Sequence, residues 1–149
     1  PAMAFGNVGL GNVPANSTVV FEIELDAILK PRTIDEYIAD NNLDTEVLEA
    51  GVHIQIEDSG NEKRPMDDSW ITVNYTGKLT NEFIFDQGSN VRFRLNNLID
   101  GWKIGLKELG EGGKCTLIIP AEAAYGETGS GSIPPNAPII FDLEMILIE

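Results

Sequence analysis

The sequence predicts an α+β fold in which an antiparallel sheet curls around one short helix, and three observations carry that prediction. Several short runs between Val52 and Ile148 alternate apolar and polar residues, as half-buried strands do. One sizeable segment, Leu98 to Leu109, has helical spacing instead, with Ile99, Trp102 and Leu106 on one face. The chain has 149 residues and a hydrophobic content of 42%, enough for one domain with a proper core plus an appendage. Many strands and a single sizeable helix mean a sheet that buries one face against that helix.

The elements follow in order. Thr33 can cap a short helix in which Ile34, Tyr37 and Ile38 share a face, and Asn41-Asn42 ends it. A second amphipathic turn is expected over Leu43 to Leu48, so that residues 30–50 read as a linker packed on one domain. Val52 to Glu57 alternates as a first strand, Asp58-Ser59-Gly60-Asn61 is a turn, and Asn61 to Asp68 is a polar loop around Pro65. Trp70 to Tyr75 is the next strand, with Ile71, Val73 and Tyr75 facing one way. Phe83 and Phe85, then Val91, Phe93 and Leu95, alternate along a further strand interrupted at Gln87-Gly88-Ser89-Asn90. The helix over Leu98 to Leu109 stops at Gly110. Its internal Gly101 and Gly105 each cost about 1 kcal/mol against alanine, which implies close approach of sheet or ligand. Cys115 to Ile119 and Ile139 to Ile148 complete the sheet.

The first 28 residues repeat the last part of the chain. Residues 1–28 align to 121–148 without a gap, sharing Ala4/Ala124, Gly6/Gly126, Gly9/Gly129, Gly11/Gly131, Pro14/Pro134, Asn16/Asn136, Phe21/Phe141, Glu24/Glu144 and Ile28/Ile148. Residues 1–29 are therefore expected to be the last loop and strand of an upstream copy, with residues 51–149 the complete copy. The run Val19 to Leu25 alternates like a half-buried strand and has open edges to satisfy, so residues 18–28 are expected to pair with another copy of the protein.

Composition removes whole classes of function. A net charge of -14 repels phosphates, which argues against nucleic acid and anionic membrane as partners. No apolar run approaches the ~20 residues of a membrane-spanning helix. One cysteine, Cys115, excludes an internal disulfide and a cysteine metal cluster, and its place in an alternating run marks it as a small core residue. One histidine, His53, leaves a zinc site or a histidine-dependent triad with almost nothing to work with. No metal or cofactor is expected. The acidic residues are scattered through turns, so hydrolysis by paired carboxylates is set aside.

What remains is an ordered set of short motifs: Ile71-Thr72-Val73-Asn74-Tyr75-Thr76-Gly77, Phe85-Asp86, Leu98-Ile99-Asp100-Gly101-Trp102, Ala124-Tyr125-Gly126, Ile133-Pro134-Pro135-Asn136 and Phe141-Asp142-Leu143-Glu144. In this order and spacing they resemble the FKBP-type peptidyl-prolyl isomerases. The resemblance implies the same curled sheet and helix, and an activity that interconverts cis and trans X–Pro bonds of folding proteins without a cofactor. It implies a pocket lined by Tyr75, Phe85, Val91, Leu98, Ile99, Trp102, Tyr125, Ile133 and Phe141, with Trp102 as floor. Asp86 corresponds to the carboxylate at the pocket edge, Tyr125 to a tyrosine whose hydroxyl donates to a ligand carbonyl, and the Ile99 N–H to a second donor. Asp86, Tyr125 and Phe141 are the positions expected to act on the prolyl bond, and Asp86 is equally expected to accept a hydrogen bond from Tyr75. Proline-containing polypeptides and macrolides are the implied ligands. Tandem copies joined by a short acidic helix resemble folding factors of the bacterial envelope, periplasmic or lipid-anchored.

The sequence departs from the family pattern in three places. The segment after Asp86 is several residues short, the arginine that commonly follows is missing, and only Arg92 and Arg94 stand near to replace it. Glu82 occupies a turn position where glycine is common, and the loop Glu127 to Ser132 is compact. The altered stretch keeps a second reading open, an FKBP-like domain that holds unfolded chains as a chaperone with little turnover. Retention of Tyr125 and Asp86 favours the enzyme.

Overall fold

The computed structural model describes residues 32–149; the repeat at residues 1–29 and the expected pairing of residues 18–28 lie outside the described residues. Alternation in the sequence becomes a six-stranded antiparallel sheet: β1 (Glu46–Val47), β2 (His53–Asp58), β3 (Trp70–Leu79), β4 (Ile84–Arg94), β5 (Lys114–Ile119) and β6 (Ile139–Ile148), in the order β1-β2-β5-β6-β3-β4. The inward residues Ile54, Ile71, Val73, Leu117, Ile119, Phe141 and Leu143 form one core with Trp102, Leu106 and Leu109. Each fully buried leucine or isoleucine there contributes roughly 1.5–3 kcal/mol through removal of apolar surface from water.

Two α-helices lie among the described residues, one on each face. The first, α1 (Ile34–Asn41), begins at a capping box: the Glu36 N–H donates to the Thr33 hydroxyl at 3.2 Å, and the Thr33 N–H donates to the Glu36 carboxylate at 2.8 Å. Asn42 ends it in the left-handed conformation, φ 51°. Its buried Tyr37 packs on Ile118 and Ile140, which point to the outer face of the sheet, with Ile34, Ile38 and Leu43 around them. Burial works against the charge of Lys78 beside it, but hydrogen bonding and attraction from Asp142 at 3.0 Å prevail and raise the ammonium pKa.

The second helix, α2 (Asp100–Gly105), is shorter than the helical spacing predicts. Leu98 and Ile99 are extended, with ψ 169° and 153°, so the helix starts only after Ile99. Beyond Gly105 it tightens into a 3-10 turn, Leu106–Glu108, a common way for a helix to end. The two glycines serve the sheet. A Cβ on Gly101 would lie 2.3 Å from Cγ2 of Ile119, and one on Gly105 would lie 2.5 Å from Cδ2 of Leu117.

Two further segments differ from expectation. Glu46 and Val47 do not form an amphipathic turn; they pair with Ile54 and His53 as β1, and the Leu48 N–H donates to the Val52 carbonyl at 2.7 Å. Leu48 packs against the core, which holds the chain along β2. Gln87 to Asn90 does not interrupt β4. The strand runs through them and absorbs two register shifts against β3 instead.

Cys115 is 2% exposed and its thiol is pushed up to about 12, first by burial and then by Glu57 and Asp142. Because the thiolate is the reactive species, Cys115 is expected to resist a thiol reagent at pH 8 in the native protein. It should react fully once the protein is unfolded in denaturant, as followed by absorbance.

Candidate functional site

The two register shifts on β4 shape the site. Gly77 of β3 pairs with Asp86 but Lys78 pairs with Ile84, so Phe85 is an extra residue in the ladder. Such a bulge re-aims side chains. Phe85 and Asp86 therefore both lie on the inner side of the sheet, Phe85 against Phe141 and Asp86 at the mouth of a cleft. The second shift falls between Val73, paired with Val91, and Tyr75, paired with Gly88, with Asn90 at φ 54°. It is held by the Asn90 N–H donating to the Asn74 side chain at 2.8 Å.

The cleft measures about 320 Å³ and is lined by Tyr75, Asp86, Phe93, Asn97, Leu98, Ile99, Trp102, Tyr125 and Phe141. Its base is aromatic. Trp102 is 4% exposed and meets Tyr75, Phe93 and Phe141 edge-on, with centroids 5.4, 5.8 and 5.0 Å away and interplanar angles of 77°, 89° and 88°. Its indole N–H is buried without a hydrogen-bond acceptor among the described residues. Edge-to-face packing favours this arrangement, because ring edges are positive and ring faces negative. Glycine makes room for it: a Cβ on Gly77 would lie 2.6 Å from Phe141 Cε1 and 2.8 Å from the Phe85 ring.

The polar groups are few. The Tyr75 hydroxyl donates to the Asp86 carboxylate at 3.0 Å, and the Gln87 N–H donates to the other carboxylate oxygen at 2.9 Å. The Tyr125 hydroxyl has no hydrogen-bond partner among the described residues. Burial first, and then the Asp86 charge, raise its pKa, so it stays protonated and able to donate beyond its usual range. The Ile99 carbonyl accepts from Trp102 and Lys103 at 3.1 and 3.2 Å at the start of α2, and Ile99, extended, lines the cleft.

Of the residues expected from sequence, Tyr75, Asp86, Leu98, Ile99, Trp102, Tyr125 and Phe141 come together here. Three do not line the cleft. Phe85 stands behind Phe141, 5.6 Å away and edge-on; Val91 sits beyond the second bulge, opposite Val73; and Ile133 is 6% exposed within the core. Phe93 and Asn97 were not expected. Phe93 could have been found, since it alternates onto the face of Val91. Neither nearby arginine partners Asp86: Arg92 binds Glu149 at 2.7 Å and stacks over Trp70, and Arg94 lies opposite Trp70 in the ladder.

A second depression, about 260 Å³, is bordered by Glu57, Asn74, Lys114, Asp142 and Glu144. Several polar groups there pair with one another or with a neighbour: Asn74 donates to Glu144 at 2.8 Å, Lys114 pairs with Glu144 at 3.3 Å, and Asp142 accepts from the adjacent Thr116 at 2.9 Å. Among the described residues no cluster of metal-ligating side chains occurs, and no helix is long and apolar enough to cross a membrane.

Comparison with known proteins places this geometry. Residues 61–146 match the model of a family described as FKBP-type peptidyl-prolyl cis-trans isomerase. The chain is 35% identical over 140 residues to the FKBP-type peptidyl-prolyl cis-trans isomerase FkpA of Aeromonas hydrophila, covering 90% of this chain and 52% of that protein. It is 40% identical over 103 residues to FkpA of Escherichia coli K12, covering 66% of this chain and 38% of that one. The chain thus spans about half the length, or less, of these curated relatives. The crystal structure of E. coli FkpA superposes with a TM-score of 0.72 at 35% identity, over 77% of this chain and 57% of that one. A peptidyl-prolyl cis-trans isomerase from Pseudomonas syringae pv. tomato superposes at 0.70 and 31% identity, over 76% of this chain and 88% of that one.

Proposed function

The chain belongs to the FKBP-type peptidyl-prolyl cis-trans isomerases, and from that membership we propose that its cleft catalyses cis–trans interconversion of X–Pro bonds in polypeptides. The observation that carries the reading is an aromatic floor, Trp102 framed by Tyr75, Phe93 and Phe141, beneath the unpaired hydroxyl of Tyr125. Resonance sets a barrier of ~18–20 kcal/mol to rotation about a peptide bond. X–Pro isomers lie close in energy and exchange over tens to hundreds of seconds. The planar amide is more polar than the twisted transition state, and water stabilises it by donating to its carbonyl. A dry aromatic floor withdraws that stabilisation and favours the twisted form. Each tenfold acceleration needs about 1.4 kcal/mol, so shape and desolvation suffice for several tenfold steps without nucleophile or metal.

In this reading Tyr125 donates to a substrate carbonyl and the Ile99 N–H to a second one. Asp86 orients the ring of Tyr75 and sets the field at the cleft mouth. Phe141, with Leu98 and Ile99, encloses the prolyl ring above Trp102. Isomerisation of a short Xaa-Pro-Phe peptide tests it. The wild type is expected to accelerate exchange and a macrolide such as rapamycin to abolish the effect. Tyr125→Phe and Asp86→Ala are each expected to lower kcat/KM about 2- to 10-fold, the value of one hydrogen bond. A folded protein that gives no acceleration yet suppresses aggregation of an unfolded client would instead make this a holding domain.

The sequence repeat supports a tandem arrangement, with residues 1–29 closing a preceding copy, 30–50 joining the two and 51–149 the isomerase domain. Residues 18–28 then pair with another copy of the protein, which light scattering tests. Tandem order and bacterial relatives together support a place in the bacterial cell envelope.

A further inference from the structure

The turn between β3 and β4 ends on a residue that does not suit its backbone. Thr80, Asn81 and Glu82 close the hairpin: the Glu82 N–H donates to the Leu79 carbonyl and the Leu79 N–H to the Phe83 carbonyl, both at 2.9 Å. A three-residue turn of this kind finishes with a left-handed residue, and Glu82 has φ 67°. Glycine takes that conformation freely, whereas a side chain with a Cβ is penalised there. The Glu82 carboxylate offsets the penalty by joining two cations, Arg32 at 3.6 Å and Lys78 at 3.5 Å. Lys78 is held in turn by Asp142 at 3.0 Å. Arg32 stands just before α1. Its Nε donates to the carbonyl of the buried Thr80 at 2.7 Å, and its guanidinium pairs with Asp40 at 3.3 Å and lies over the Tyr37 ring, 5.3 Å from the centroid. Arg32, Tyr37 and Asp40 all precede residues 61–146, the stretch that matches the family, so this tie reaches the turn from outside the family domain.

The tie bears on the cleft because of where it acts. Lys78 pairs with Ile84 and Gly77 with Asp86, so the bulge at Phe85 is the first irregularity after the turn. A bulge leaves its extra residue unpaired, and a slip of one residue in register turns side chains to the other face of the sheet. In a hairpin the turn fixes that register. A loosened turn therefore frees Asp86 to leave the cleft mouth and to lose its hydrogen bond from Tyr75. Each ion pair here is partly exposed and weak by itself, but both converge with the Thr80 bond on one three-residue turn. We propose that Arg32 and Glu82 are positioning residues for the cleft, clamping the β3–β4 turn so that Phe85 and Asp86 keep their faces, which rests on the isomerase reading. The segment before the family domain thereby takes part in shaping the cleft.

Glu82→Gly separates positioning from plain stabilisation. Glycine relieves the left-handed backbone, so the urea midpoint is expected to stay level or rise, while KM for a short X-Pro peptide rises about 2- to 5-fold with kcat unchanged. That pattern belongs to a cleft that is competent only part of the time. Glu82→Gln keeps the backbone and removes only the charge, and Arg32→Ala removes the other partner. Each is expected to raise KM in the same range, and the two together by less than the product of their separate effects. Native-state amide exchange is expected to quicken over residues 84–87 in every variant and to stay unchanged on β5. If the wild type isomerises the peptide and the variants leave its KM as it was, the proposal is overturned while the isomerase reading stands. Independent effects of Arg32 and Glu82, or a Glu82→Gly midpoint that falls in step with activity, overturn it equally. If the wild type gives no acceleration, the isomerase reading falls, and the proposal with it.

Discussion

Replacing Trp102 with alanine is expected to cost about 3–5 kcal/mol of stability, the usual range for removing a buried large aromatic residue. The residue is 4% exposed and touches three other rings, so the neighbours cannot close over the gap without losing their own edge-on contacts. Against a typical total of about 5–15 kcal/mol this is a large share, and the variant should unfold at a markedly lower urea concentration. Isomerase activity should fall further than stability accounts for, because the floor of the cleft goes with the side chain. Activity measured well below the new unfolding midpoint separates the two effects. Wild-type catalysis by a fully folded variant would show that the prolyl ring rests elsewhere.

The second large effect is expected at Gly101. Alanine in a helix gains about 1 kcal/mol over glycine. Here the added methyl would lie 2.3 Å from Cγ2 and 2.7 Å from Cδ1 of Ile119, a residue with no exposure. Overpacking of a tight core costs about 1–3 kcal/mol and often more where backbone must shift. The clash outweighs the propensity, so Gly101→Ala is expected to lose about 1–2 kcal/mol net, by denaturant titration, where an exposed helix position would gain. α2 would lift from β5 and carry Trp102 with it, so an altered tryptophan fluorescence spectrum should accompany the loss. A neutral or stabilising result would mean that α2 does not lie this close to the sheet.

Local pattern made much of this molecule readable before its structure. Alternation announced β2, β3, β5 and β6, since the side-chain period of a half-buried strand is set by the strand itself. Thr33 announced the start of α1, because a cap residue stands directly before the apolar run it caps; that Glu36 completes a capping box emerged only from the structure. The aromatic positions could be assembled only through their order along the whole chain, since each one alone resembles ordinary core. What remained hidden was set by partners distant in sequence. The bulge at Phe85 exists because Gly77 and Lys78 of β3 pair with Asp86 and Ile84, and nothing in the β4 sequence alone says so. Strict alternation would have sent Phe85 and Asp86 to opposite faces. The same holds for the shift at Ser89 and Asn90, which shows only in the pairing of Tyr75 with Gly88 and of Val73 with Val91. Asn97 gave no signal at all, since an asparagine before an apolar pair reads as any turn.

Among the described residues β4 lies at the open end of the strand order, paired only with β3, and both bulges fall on it. An unpaired edge eleven residues long is a template on which another chain can grow, and proteins blunt such edges with bulges and charges. The irregularity that aims Asp86 into the cleft also spoils the regular ladder an incoming strand would need, and Arg92 and Arg94 add charge along it. On the proposed isomerase reading the cleft meets extended polypeptide, and an edge that pairs poorly keeps such a chain from adding to the sheet. The geometry of the cleft and the blunting of this edge therefore reside in the same few residues, and straightening β4 is expected to remove both.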